Sequence, residues 1–205
     1  MDIWAMLEVE RLDVAELAES LTDEQWDARS LCDAWKVRDV VGHVNAVAMT
    51  SALGGLVGVV KNAFNVDRYL ERDGLAQGAR PRSELLADLR ANASSRKLPP
   101  MIKPQDLFGD TLVHGQDIRR PLGIARRIEP EHVRLVLDRE KGNKLLGVTK
   151  RVAGVRLVAT DLDWSHGDGP EVGGTGEAIL MAILGRHEAL ADLEGEGVAV
   201  LAARK

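Results

Sequence analysis

Asp110 and His114 stand four residues apart in DLFGDTLVHGQDIRRPLG, residues 106–123, a run of good helix formers that stops at Pro121 and Gly123. Residues at i and i+4 share one helix face, so a carboxylate and an imidazole placed there can hold a divalent cation between them. Two ligands make a weak site, and a third must come from another helix. The best donor is His43, in VRDVVGHVNAV. Asp117 follows His114 by three residues on the same face and could orient that imidazole, or could be a solvated or capping carboxylate. Arg119 and Arg120 could clamp a substrate carboxylate, complement the helix C-terminus, or tie the two domains together. Each candidate also has an ordinary reading: a histidine on a valine stripe is commonly a satisfied core residue, and Asp110 and His114 could simply hydrogen-bond each other. Cys32 has no helical histidine partner in register, so it reads as a packing thiol. His166, in SHGDG, reads as an exposed turn histidine, and the four tryptophans read as plugs.

The elements that must position these groups come from periodicity. Residues 3–20 form a first amphipathic helix around Trp4, Leu7, Leu12, Ala15 and Leu17. Thr22 and Gln25 make a capping box for a short turn around Trp26. Val37, Val40, Val41, Val44 and Val47 define a second helix carrying His43, which depends on burial because valine is a modest helix former. The apolar run from Val40 to Val60 reads as a buried core helix, interrupted too often for a membrane span, and weakening at Gly54, Gly55 and Gly58. Residues 65–81 read as a mobile loop. A third helix is expected over 83–95 with Ser83 as N-cap, broken by Leu98-Pro99-Pro100, and a fourth over 105–120, ended by Arg119, Arg120 and Pro121.

After Ile128 the texture changes. A helix is expected over 129–141, a strand over 155–160 that 161–164 continues or pairs with, a turn over 166–170, a helix over 175–184 closed by Gly185, a helical turn over 188–193 and a last strand over 197–201. The expected fold is α+β: a four-helix bundle over residues 1–128 and a small α+β domain over 129–205.

The 205 residues are 45% apolar with a net charge of −5 and no clustered basic face, which argues against a nucleic-acid partner. One cysteine excludes an internal disulfide framework. The acidic start MDIWAMLEVERLD is wrong for a signal peptide, so the cytoplasm is the expected location and no membrane partner is expected. The glycines of GDGPEVGGTG lack dinucleotide-binding spacing.

LTDEQWDARSLCDAWKVRDVVGHV followed by VHGQDIRRPLG resembles the mycothiol-dependent maleylpyruvate isomerase family, whose helical part is a DinB-like metal-binding bundle. The tail GVRLVATDLDWSHGDGPEVGGTGEAILMAILGRHEAL is similar to the small C-terminal domain of that family. The resemblance implies a divalent metal, usually zinc, held by two histidines and a carboxylate, which fall on His43, His114 and Asp110. It also implies mycothiol as cofactor. From their place beside the ligands, and not from the resemblance, Asp117 and Arg119 are candidates to support the metal-bound thiol. The family carboxylate is normally Glu; Asp110 is one methylene shorter. The implied reaction has the thiolate add to a conjugated double bond, the adduct rotate and the thiol leave; in a thiol transferase the adduct is the product. The partners would be a low-molecular-weight thiol and a small electrophile entering between bundle and tail. A non-catalytic metal- or small-ligand-binding protein of the same fold is the alternative, and a homodimer is a further option.

Overall fold

The computed structural model describes residues 2–99 and 102–204; Pro100, part of the expected helix break, lies outside them. The chain divides into two compact units, residues 1–125 and 126–205.

The first unit contains α1 (Ile3–Ser20), α2 (Asp23–Trp26), α3 (Val37–Met49), α4 (Ala52–Lys61), α5 (Val66–Gly78), α6 (Arg82–Ala91) and α7 (Pro104–Leu122). Its core joins Val14, Leu17 and Ala18 of α1, Val37, Val40, Val41 and Val44 of α3, Leu85 and Leu89 of α6 and Ile118 of α7, together with Trp26 and Trp35. Four helices thus surround one apolar centre, as the valine periodicity requires. The Thr22 capping box forms as expected: the Thr22 hydroxyl accepts from the Gln25 amide, and the Gln25 side chain accepts from the Thr22 amide.

Several expectations for this unit differ from the structure. The run from Val40 to Val60 is not one buried helix. It breaks at Thr50–Ser51, Ser51 caps α4 through the Gly54 amide, and α4 leaves Leu53, Leu56, Val57 and Val60 exposed. Residues 65–81 are not a loop but α5, capped by the Asn65 side chain, which accepts from the Arg68 amide. Pro81, not Ser83, is the N-cap of α6, because proline's fixed φ suits a helix entrance.

Glycine at two places lets α5 lie against its neighbours. A Cβ on Gly42 of α3 would sit 2.6 Å from the Gly78 amide nitrogen, and one on Gly78 would collide with the Asp39 carboxylate. A Cβ on Gly74 would sit 2.8 Å from the Trp35 ring. The same glycines weaken the helical signal of α5 in the sequence. The end of α7 is also later than expected: Pro121 lies inside the last turn, and Gly123 closes it with φ +66°.

The second unit is α+β. It contains α8 (Pro130–Glu140), α9 (Val148–Arg151), β1 (Arg156–Ala159), β2 (Ser165–His166), β3 (Glu171–Gly174), α10 (Gly176–Ile183), a 3-10 turn (His187–Asp192) and α11 (Gly197–Ala202). The strand order is β2-β1-β3, with β1 antiparallel to β2 and parallel to β3, Leu157 opposite Val172. β3, EVGG, has no alternation and escapes a pattern reading. Residues 161–164 do not continue β1: the Asp161 carboxylate turns to accept from the Gly176 amide at the start of α10. The expected last strand over 197–201 is α11, a short helix with Leu201 buried. Among the described residues no helix is long and apolar enough to cross a membrane.

Candidate metal centre

The site is built on α3 and α7, which pack on each other within the first unit. α7 starts at Pro104, whose missing N–H costs nothing in a first turn, and the Asp106 carboxylate accepts from the Lys103 amide. One helical turn then stacks Asp110 and His114. α3 brings His43 in from its valine face. His43 is 3% exposed and His114 8% exposed, while the Asp110 side chain stays one-third open at 33%.

The Nε2 atoms of His43 and His114 lie 3.7 and 3.5 Å from the same Asp110 oxygen, Oδ1. These separations exceed the roughly 2.7–3.2 Å of an N–H···O hydrogen bond. They are close to the edge of a tetrahedron of ligands around zinc, about 3.3 Å for bonds of about 2.0–2.1 Å. Among the described residues, the second Asp110 oxygen and His43 Nδ1 are buried without a hydrogen-bond partner. Three donors held at ligand spacing, with polar atoms left unpaired beside them, fit a cation.

Behind His114 the spacing is different. His114 Nδ1 lies 2.9 Å from Asp117 Oδ2, and the Cys32 thiol donates to that same oxygen at 3.1 Å. Cys32 Sγ is 3.8 Å from His114 Nδ1. Cys32, His114 and Asp117 are close enough to share an ion, as are His43, Asp110 and His114. The first group is spaced as a hydrogen-bonded chain, however: 2.9 Å is shorter than a tetrahedral ligand edge and normal for a charge-assisted hydrogen bond. Asp117 is fully buried, and its carboxylate holds the His114 ring so that Nε2 faces Asp110.

Electrostatics couple the cluster. Burial pushes the His114 imidazole down, but the Asp110 charge and the bonds to Asp110, Asp117 and Cys32 carry it well above its ordinary 6.5. Burial pushes the Asp110 carboxyl up, yet His114 and His43 outweigh it and hold it far below the usual carboxylate range. Arg11, buried on α1, feels the same carboxylate: burial lowers its guanidinium to about 10, against the raising effect of Asp110.

Several neighbours of the site leave no mark in the sequence. Cys32, read as a mere packing thiol, belongs to the hydrogen-bonded chain behind His114. The loop before α3 folds it there, with the Leu31 amide donating to the Asp117 carbonyl at 3.0 Å. Trp35 covers the histidines, its ring centroid 4.9 Å from His43 and 5.8 Å from His114. Nothing in the spacing of a lone cysteine and a tryptophan ahead of a helix signals either contact. Arg119 is not an open anion clamp: it is buried, donating to Asp13 on α1 at 2.6 Å and to the Gly115 carbonyl at 3.3 Å. His166 is half-buried at the edge of β2 in the second unit.

Comparison with known proteins agrees with this architecture. Residues 7–98 match the family model described as mycothiol maleylpyruvate isomerase N-terminal domain, a span that includes His43 and ends before α7. Two solved structures resemble the chain: a crystal structure of a histidine-to-alanine mutant of the mycothiol-dependent maleylpyruvate isomerase, with a TM-score of 0.68, and a crystal structure of that isomerase, with a TM-score of 0.60. Each shares 12% identity and covers 95% of this chain and 92% of its own. At that identity the likeness speaks for the fold. No curated protein sequence matches. The family model thus accounts for residues 7–98, just under half of the chain, and the likeness to that family is a likeness of this N-terminal region.

Proposed function

We propose that this protein is a divalent-metal-dependent enzyme that uses mycothiol on a small electrophile, either isomerising it or transferring the thiol, with His43, Asp110 and His114 as metal ligands. The observation that carries the proposal is the convergence of two imidazole Nε2 atoms on one Asp110 oxygen at 3.5 and 3.7 Å, ligand spacing and not hydrogen-bond spacing. Zinc suits two imidazoles and one carboxylate, a set that leaves one position for another ligand. When bound, such a cation favours the thiolate form of a thiol that joins it. The chain's own residues supply the setting. Asp117 fixes the tautomer and tilt of His114, Cys32 donates to the other side of that interaction, and Trp35 screens both imidazoles from water. Asp110 in place of glutamate suits this arrangement, because its short side chain already lies at ligand distance from both imidazoles.

Elemental analysis of protein purified without chelator tests the reading. About one metal ion per chain is expected. His114→Ala should lose the ion while keeping its helical circular dichroism, and should lose mycothiol-dependent adduct formation with an electrophile. A wild-type protein that is metal-free and stays so on titration would refute the proposal.

A further inference from the structure

His43 continues along one face of α3 as Ala46 and Thr50, three and seven residues on. Beside that face lies a cavity of about 250 Å³ lined in part by Ala46, Thr50, Ser51, Tyr69, Asp73 and Gln77. Tyr69, Asp73 and Gln77 are spaced by four residues on α5, so they form one stripe, and all three are half-buried. α3 and α5 run antiparallel here, since Gly42 meets Gly78 at one end and Thr50 meets Tyr69 at the other. The cavity is therefore the next turn along from the His43 imidazole. Electrostatics agree: burial raises the Asp73 carboxyl while His43 acts to lower it, and burial and then Asp73 raise the Tyr69 phenol, with Thr50 opposing.

The lining has a definite chemistry. Its lining residues carry one carboxylate, three hydroxyls and one amide. The Gln77 amide oxygen accepts from Arg80 at 2.9 Å, the Thr50 hydroxyl donates to the Ala46 carbonyl and the Ser51 hydroxyl accepts from the Gly54 amide, which leaves Asp73 as the charged acceptor of the lining. Lys61 and Arg72 belong to an adjoining depression that shares Tyr69 and Asp73. A group that donates hydrogen bonds, neutral or cationic, finds acceptors here, whereas a carboxylate meets Asp73.

We infer that the cavity between the last turn of α3 and the Tyr69–Asp73–Gln77 stripe of α5 is a binding subsite for a hydroxyl-bearing, neutral or cationic group of the ligand whose reactive end reaches His43, Asp110 and His114. The inference rests on the proposed function for what that reactive end does, but the subsite is built from residues outside the ligand trio. It assigns specificity to Asp73: the part of the ligand lodged here is not an acid.

The test uses full-length protein, metal-free and metal-loaded, titrated with serinol, a small diol carrying an ammonium group, and with malonate, a dianion of similar size. Amide NMR shifts of residues 46–54 and 69–77 report the binding. Serinol should give saturable shifts there in both forms, and malonate should not. Asp73→Asn should weaken serinol at least tenfold, and Tyr69→Phe, a milder change that guards against misfolding, about threefold. Malonate shifting these amides as strongly as serinol, or serinol affinity unmoved in both variants, would overturn the inference. Failure of the metal reading shows separately, as absence of ion uptake with serinol binding intact.

Discussion

The chemistry of this protein depends on which atom each buried group faces. Asp110 gives one oxygen to two imidazoles, and Asp117 gives one oxygen to an imidazole and a thiol, so His114 is held from both sides. This predicts a specific pH dependence. The folded-state pKa of His114 is raised, so its contribution to metal-free stability is complete below 6.5 and is lost as pH rises through the raised value. Asp110 is depressed, so its contribution is present above 3.8 and is lost as pH falls below that. Metal-free protein should therefore unfold at the highest denaturant midpoint between these values and weaken on either side. A cation must displace the His114 proton, so metal affinity should rise by up to about tenfold per pH unit until that proton is gone. Denaturant midpoints across pH 2–9 check both sides of the stability profile, and competitive metal titrations across pH 4–9 check the affinity slope; a flat metal affinity would show that His114 is not a ligand.

Helices carry the site, and glycines set how closely they approach. Gly74 lets α5 rest on Trp35, whose indole N–H donates to the Glu71 carbonyl at 3.3 Å while its ring covers His43. Gly74→Ala should overpack that contact, lowering the unfolding free energy by about 1–3 kcal/mol and shifting the Trp35 fluorescence. Urea denaturation followed by tryptophan emission measures both. Much of this scale was legible in the sequence. The valine period placed α3 with His43 on its buried face, and the i, i+4 spacing placed Asp110 with His114. α5 was hidden because the two glycines that make its packing possible also depress its propensity, and because Tyr69, Asp73 and Gln77 face a polar cavity instead of a core. α4 was misplaced inside the core because an apolar run carries no sign of which side solvent takes. β3 leaves no pattern to read because two of its four residues, Gly173 and Gly174, have no side chain to show an alternation. Cys32 and Trp35 reach the site through a loop, where spacing carries no period to read.

At the scale of the whole molecule, the chain is two compact units, and every proposed ligand lies in the first. Among the described residues, the four-helix core around Val14, Val41, Leu85 and Ile118 draws only on that unit. A fragment of residues 1–125 is expected to be helical and to take up about one equivalent of zinc, measured by circular dichroism and elemental analysis. A fragment that folds but takes up no metal would mean that the second unit supplies a ligand. The second unit has its own centre in α10, where Ile179, Leu180, Met181 and Ile183 are fully buried.

Among the described residues, two groups in the first unit could share an ion, and one of them is the proposed ligand set. Metal content of His43→Ala and Cys32→Ser proteins, purified side by side with wild type, separates them directly. Loss of the ion from His43→Ala and its retention in Cys32→Ser is the predicted result. Retention in His43→Ala with loss from Cys32→Ser would place the cation on Cys32, His114 and Asp117 and contradict the account.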